Sequence, residues 1–301
     1  VVDHHRPPGR VVAPDEGEVE ALGQHEVELH GAALPGPAVP VVEFYHAGLH
    51  HYFISTDPVE IAALQSGTVI KGSYSGTDVA ALVITRGSKI MAQGTANEPI
   101  VFTSLSPNPQ SGDWGGIVIC GKAGYNLSYN GTPGLFQVEG GIDNAFGDGL
   151  AGSGDATAPT PIDNDNSGVL QYVRIEYAGY AFQPDKEVNS LTLACVGSGT
   201  TIDHIQVTYA KDDAYEWFGG SVNCKYLIAW KTQDDDFDTD NGYNGNVQFC
   251  LSVRDPQMSD APSVSTSEGF ESDNNAGGTD VSPYTSAIFS NMTMVGPTYR
   301  L

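Results

Sequence analysis

The sequence predicts an all-β chain wound as a parallel β-helix, a solenoid whose short strands stack coil upon coil. Three observations predict it. From Thr68 onward, β-rich runs alternate with Gly, Asn and Asp turns, and no stretch keeps a helical period of apolar residues. Asn-Gly pairs do not stand at each junction, as they would if every strand joined the next as a hairpin, which argues for stacked coils over a sandwich. A segment also repeats. Ile205 to Tyr209 followed by Asp213 to Glu216 matches Leu227 to Trp230 followed by Asp235 to Asp238 at one offset (227 − 205 = 22; 238 − 216 = 22). Gly269-Phe270-Glu271 gives a third copy behind the run Val247 to Val253, with an insertion of 11 residues (271 − 238 = 33).

Taken in order, residues 1–40 read as a linker or disordered tail, because Pro7-Pro8-Gly9, Pro14, Pro35-Gly36-Pro37 and Pro40 punctuate a polar stretch. His4, His5, His25 and His30 lie in or near it without the regular spacing of a metal site. Residues 41–67 differ. Two short aromatic strands, Val41 to His46 and His51 to Thr56, lead into a helical turn over Val59 to Leu64, with Pro58 at its first position and Asp57 or Thr56 as cap. Glu43-Phe44-Tyr45, His51-Tyr52-Phe53 and Thr56 to Leu64 together resemble a short aromatic repeat found beside bacterial secreted hydrolases and surface proteins. At Gly67 the chain passes into the next domain, so the repeat is partial.

Residues 68–301 form the expected β-helix domain. Its strands are Ala81 to Thr85, Ile100 to Thr103, Gly116 to Cys120, Val169 to Tyr177, Leu191 to Val196, Thr201 to Tyr209, Val222 to Trp230, Val247 to Val253 and Ser286 to Val295. The last stands just before Leu301, so the domain is expected to be truncated at its C-terminus, its open end continued or capped by something else. If coils of 22 residues stack, Glu216, Asp238 and Glu271 form one column, and Asp240 and Asp273 a neighbouring one.

Hydrophobic residues make up 40% of the 301, enough for a core, so global disorder is excluded. Charged residues are 17%, yet 37 acids against 13 bases leave a net charge of −24. Such a surface repels nucleic acid and attracts divalent cations. No run of about 18 apolar residues predicts a transmembrane helix. Val1 is not followed by a charged-then-apolar leader, so any signal peptide is expected to have been removed or left out. Cys120, Cys195, Cys224 and Cys250 lie far apart in apolar runs and form no zinc motif; they read as buried thiols, with a disulfide among the last three as the alternative.

Further motifs carry a resemblance: Gly67 to Gly72 (GTVIKG), Leu82 to Ile90 (LVITRGSKI), Pro99 to Ser104 (PIVFTS), Gly112 to Gly116 (GDWGG), Leu170 to Gly179 (LQYVRIEYAG) and Asp234 to Asp240 (DDDFDTD). Residues 68–301 resemble a large family of bacterial secreted β-helical proteins, many labelled lipoproteins or sorted surface proteins. The resemblance implies a right-handed parallel β-helix, exported to the extracellular space or outer cell surface of a bacterium. It brings no established activity. The earlier strand segment usual before the GTVIKG run is replaced here by the aromatic repeat.

The residues that could carry chemistry are mostly acids. Asp212, Asp213, Glu216, Asp234, Asp235, Asp236, Asp238, Asp240, Glu268, Glu271 and Asp273 fall on one expected face. Stacked carboxylates about 5 Å apart repel unless a cation lies between them, and calcium accepts six to eight oxygens in irregular cages. The alternatives are a solvated face with turn-capping side chains, or a catalytic carboxylate pair. Asp163 and Asp165, in the turn DNDNSG, read either as calcium ligands or as an Asx-turn launching the next strand. For glycan binding the candidates are Trp217, as a stacking platform, with Lys231 and Arg254 as cations beside the acids. Trp114, Tyr177, Tyr180, Tyr215 and Trp230 could also stack sugar rings on the outer face, though most of them read as core packing.

Three functions follow. The first is a non-catalytic, calcium-stabilised surface or matrix protein for adhesion or glycan binding. The second is a polysaccharide lyase or hydrolase using the acidic face near 212–240. The third is a structural subunit that self-assembles through its β-helix ends. The partners expected are a glycan or cell-surface component, with no nucleic acid.

Overall fold

The computed structural model describes residues 26–28, 43–46, 50–55, 61–64, 66–72, 74–75, 78–138, 149–183, 186–260, 263 and 265–297. Every regular element among them is a strand. Two long sheets run side by side along the solenoid. The first stacks Glu26–Glu28, Val69–Gly72, Ile100–Ser104, Gly168–Glu176, Thr201–Thr208, Cys224–Trp230, Asn246–Val253 and Ile288–Val295 in parallel, with Ile61–Leu64 and Lys89–Gln93 alongside. The second runs Glu43–His46, His50–Ser55, Asp78–Ile84, Gly116–Cys120, Leu191–Ala194, Tyr215–Phe218, Phe237–Asp240 and Glu271–Ser272. Its first pair is antiparallel, as is the side pairing of Tyr74–Ser75 with Asp78–Ile84; the other pairs are parallel.

The 22-residue interval is the register between two adjacent coils, and insertions lengthen it in others, as between Val173 and Ile205 or Asp238 and Glu271. Ile205 pairs with Leu227 in the first sheet and Tyr215 with Phe237 in the second (227 − 205 = 22; 237 − 215 = 22). Inward positions therefore stack like upon like: Val173, Ile205 and Leu227 line the core, as do Ile175, Val207 and Ala229. Tyr215 and Phe237 stack at 5.6 Å and 6°, and Phe270 continues the pile 5.6 Å beyond Phe237. The buried Tyr215 hydroxyl lies 2.9 Å from the carbonyls of both Ile205 and Ile228, which satisfies its polar tip.

Each long strand of the first sheet is bent at one left-handed residue. Tyr172, His204, Tyr226, Phe249 and Asn291 have φ of 50°, 54°, 56°, 61° and 54°. The bend explains why Gly168–Glu176 pairs with two earlier strands, Lys89–Gln93 before Tyr172 and Ile100–Ser104 after it. Between Cys120 and Gly168 the chain makes an excursion carrying two small antiparallel pairs, Ser128–Tyr129 with Thr132–Pro133 and Leu135–Gln137 with Leu150–Gly152. It covers the outer face of the early coils of the second sheet, where Val83, Val118 and Cys120 form a separate apolar cluster with Val138 and Ala151.

The N-terminal expectations need two corrections. Ile61–Leu64 is a strand paired with Lys89–Gln93, so the helical turn does not extend over it; the coil's in-register edge outweighs the local helix signal. Glu26–Glu28, inside the expected tail, pairs with Val69–Gly72 for the same reason. Residues 56–60 and most of 1–40 lie outside the described residues. All four cysteines are buried free thiols.

Truncation of Phe237, fully buried between two rings, should cost about 3–5 kcal/mol in the Phe237→Ala variant. Urea unfolding checks it, and a loss below about 1 kcal/mol would place the ring outside the packed core.

Candidate functional site

The second sheet changes character along its outer face. One outward column reads Val83, Val118, Thr192, Glu216, Asp238, Glu271. Its first two members are covered by the excursion, and its last three are carboxylates one strand apart. Three groups of acids converge, with one oxygen from each member lying within 4.8 Å of the others. They are Asp212, Asp213 and Asp234; Asp213, Glu216 and Asp238; and Asp235, Glu268 and Glu271.

The acids divide by what holds them. Asp213 Oδ1 accepts the Asp235 backbone N–H at 2.9 Å, and Asp235 in turn accepts the Glu268 N–H, so these two cap turns one coil further on. Asp234 accepts the Ser265 hydroxyl. Asp236, fully buried, pairs with Arg254 at 3.2 Å and accepts the Ser252 hydroxyl. Asp240 Oδ1 accepts the Asn241 N–H at 2.6 Å. Glu216 accepts the Asn189 amide. Asp236 Oδ1 and Asp238 Oδ1 are both buried without a hydrogen-bond partner, but Asp236 Oδ1 faces the Arg254 guanidinium, and no ion pair reaches Asp238 among the described residues. The hydroxyls of Ser190 and of Thr192, the latter next to Glu216 in the column, are likewise buried without a partner.

Burial and like charge push six of these acids upward in pKa. Burial raises Asp238 to about 7, the Glu216 hydrogen bond working against it while Glu271, Asp240 and Asp273 add to the rise. Burial and a hydrogen bond to Glu271 raise Asp235 to about 9. Asp213 stands well above the ordinary carboxylate range, first through burial and then through Asp212, Asp238 and Asp235. Asp234, Asp236 and Asp240 are raised, again chiefly by burial.

The glycan candidates come out differently. Trp217 is fully buried, stacked on Tyr243 at 5.4 Å, because strand alternation that turns Glu216 outward turns Trp217 inward; it offers no platform. Arg254 is a buried clamp. Besides Asp236, it donates to the carbonyls of Gln233, Asp234, Ser267 and Glu268, which leaves it unavailable to a glycan. Lys231 pairs with Asp255 at 3.0 Å and sits 5.6 Å from the centre of the Tyr209 ring. Asp163 and Asp165 lie apart from the acidic face. Asp163 Oδ1 accepts the Gly124 N–H, and Asn166 Oδ1 accepts the Gly168 N–H at 2.8 Å, the Asx-turn that launches the strand. Asp273 and Glu271 are exposed at the end of their columns.

Sequence reasoning missed Asn189, Ser190 and Thr192 as neighbours of the carboxylates. The signal was available: Leu191 to Val196 is one coil below Tyr215, and matching those two strands places Thr192 under Glu216.

Stacked parallel coils with an outward acidic column define a parallel β-helix. The chain matches the family model of the pectate-lyase-like β-helix domain over residues 56–300, and it belongs to that family, a right-handed parallel β-helix. Comparison with curated proteins and with solved structures returns no match. No helix among the described residues is long and apolar enough to cross a membrane.

Two outcomes are expected. Folding raises the pKa of Asp235 and Asp238 above 3.8, so the native state keeps protons that the unfolded chain has released. Metal-free stability therefore falls as pH rises from about 4 through 7 and 9, and the thermal midpoint in chelator should be lower at about pH 8 than at about pH 5. A midpoint that holds or climbs over that range would show the acids to be solvated. Second, Arg254→Met leaves Asp236 buried without its cation and should cost about 3–5 kcal/mol in chemical unfolding; a neutral result would make Arg254 a surface group.

Proposed function

We propose that the protein is a non-catalytic β-helix for binding or adhesion outside the cell, whose acidic face is stabilised by a bound divalent cation, calcium above others. The observation that carries the cation is Asp238 Oδ1, a buried carboxylate oxygen without a partner in the column between Glu216 and Glu271. Carboxylates stacked one strand apart are unfavourable without a positive charge, and two of the cations nearby are committed elsewhere: Arg254 to Asp236 and four carbonyls, Lys231 to Asp255. Glu216, Asp238 and Asp213, with the Thr192 hydroxyl, supply hard oxygens of the kind calcium takes, and magnesium or manganese would accept the same donors less readily in an irregular cage. The commitment of Arg254 and Lys231 also supports a non-catalytic role, since a lyase needs a free base beside its metal ligands.

A second reading keeps the same face as a polysaccharide hydrolase or lyase site. It is favoured by the family and by the close Glu216–Asp238 pair, one member of which titrates near neutrality.

Asp238→Asn separates these. In chelator at about pH 8, the neutral amide removes a buried charge and should raise stability by about 1–3 kcal/mol. In calcium at about 100 times its Kd, the parent should gain roughly 2.7 kcal/mol that the variant lacks. Equal calcium response in both proteins would remove the column as the cation site. Release of reducing ends or unsaturated uronate from polygalacturonate by the parent, lost in the variant, would establish the enzymatic reading instead.

A further inference from the structure

The first sheet carries a second feature, on a different face from the acids. At the left-handed bend of four successive coils stand Tyr172, His204, Tyr226 and Phe249. Their rings stack outside the core with centroids 4.3, 4.4 and 5.2 Å apart and planes within 24° of parallel. Tyr226 and Phe249 are each 41% exposed, a large solvent-facing area for side chains that the core has room to refuse or accept by register. Two positions further along each strand runs the outward row Arg174, Gln206, Ile228, Leu251. The two rows line a groove of about 480 Å³, closed at one end by Thr95, Ala96 and Pro99.

Its charge is the informative property. The chain carries a net −24, yet no carboxylate lines this groove. Arg174, the one fixed cation in its lining, is paired with Glu176 just outside it, and the His204 ring lies against Asp203. The lining thus presents no unpaired fixed charge within a strongly acidic protein. A polyanion gains nothing there and is repelled by the rest of the surface, and a polycation would be drawn to the acidic face instead. The lining is amphipathic: ring edges, which carry the positive part of the aromatic quadrupole, and the Gln206 amide beside the apolar side chains of Ile228 and Leu251. A chain of uncharged sugars has the matching chemistry, with hydroxyl lone pairs for the ring edges and amide, and C–H faces for the aliphatic row.

We infer that the ladder Tyr172–His204–Tyr226–Phe249 and the row beside it form a binding groove for a neutral polysaccharide lying along the solenoid axis. This site is independent of the cation reading, since the acids stand on the other sheet.

The test is affinity electrophoresis of the full chain in gels containing a neutral glucan, galactan or mannan, or polygalacturonate, with calcium and with chelator. At least one neutral polymer should retard the parent, and polygalacturonate should not. Tyr226→Ala with Phe249→Ala should weaken that retardation at least about tenfold, corresponding to the loss of two aromatic contacts. Gln206→Ala, which leaves the ladder intact, should weaken it by a smaller factor and guards against a ladder variant that misfolds. Retardation that survives chelator while the fold persists would keep this groove even if the cation site failed. The inference is overturned if no neutral polymer retards the parent, if polygalacturonate binds in preference, or if neither variant changes the retardation. It is also overturned if the groove instead mediates self-association, seen as a concentration-dependent increase in mass that the double variant abolishes.

Discussion

In-register stacking of parallel strands is the constraint on which the rest of this molecule depends. Because Ile205 lies over Leu227 and Tyr215 over Phe237, the nearest neighbour of each side chain along the axis is its own counterpart in the next coil, about 4.8 Å away. For apolar and aromatic side chains that arrangement is favourable, and the inner pile Tyr215–Phe237–Phe270 is its product. For carboxylates it is costly, and Glu216–Asp238–Glu271 is the result of the same rule applied to the wrong chemistry. The left-handed bends obey it too. Each costs about 1–2 kcal/mol in a residue with a side chain, and stacking the rings at those bends returns part of that cost.

Accounting for hydrogen bonds then separates acids that serve the fold from an acid that the fold leaves unexplained. Asp213 and Asp235 hold the backbone amide of the following coil, and Asp236 anchors Arg254, which ties together four carbonyls of an irregular loop. These are structural uses of negative charge, and any acidic sequence could look the same from composition alone. The buried Asp238 oxygen is satisfied by none of them. A lone acidic run would support nothing; the register makes this one a column and the missing partner makes it a candidate site.

Much of this was legible in the sequence. The β-rich runs between turn residues marked the strand set from Gly116 to Val253, and the equal offset of 22, with its insertion of 11, marked the column Glu216–Asp238–Glu271. The burial of Trp217 was equally legible, since Tyr-Glu-Trp-Phe alternates and an outward Glu216 requires an inward Trp217. The outer ladder left a quieter trace: inward residues step by three at Leu170–Val173, Ile202–Ile205 and Cys224–Leu227 before resuming a step of two, which marks an extra residue turned outward between them. The role of Arg254 could not be read, because two of its acceptors, the carbonyls of Ser267 and Glu268, stand behind the insertion that breaks the 22-residue period. The strand at Ile61–Leu64 could not be read either, since local helix signals were overruled by an edge contributed by residues 89–93.

The position of the carboxylate column along the solenoid decides what its charge can influence. In a repeat fold, stability is close to a sum of coil terms and nearest-neighbour interfaces, so repulsion between Asp238 and Glu271 weakens one interface without lowering the whole structure evenly. That interface is already slight: Glu271–Ser272 spans two residues, and Phe270 above Phe237 is 38% exposed. The early coils, sealed by the excursion over Val83, Val118 and Cys120, feel none of it. A cation among Asp213, Glu216 and Asp238 would therefore act on the late coils first, fastening Tyr215–Phe218 to Phe237–Asp240 and easing the charge that Asp238 presents to Glu271, while the neutral groove on the other sheet keeps the geometry that its own stack provides. Cation occupancy and groove integrity are coupled only through the shared late coils, which is why the two faces can be separated by mutation.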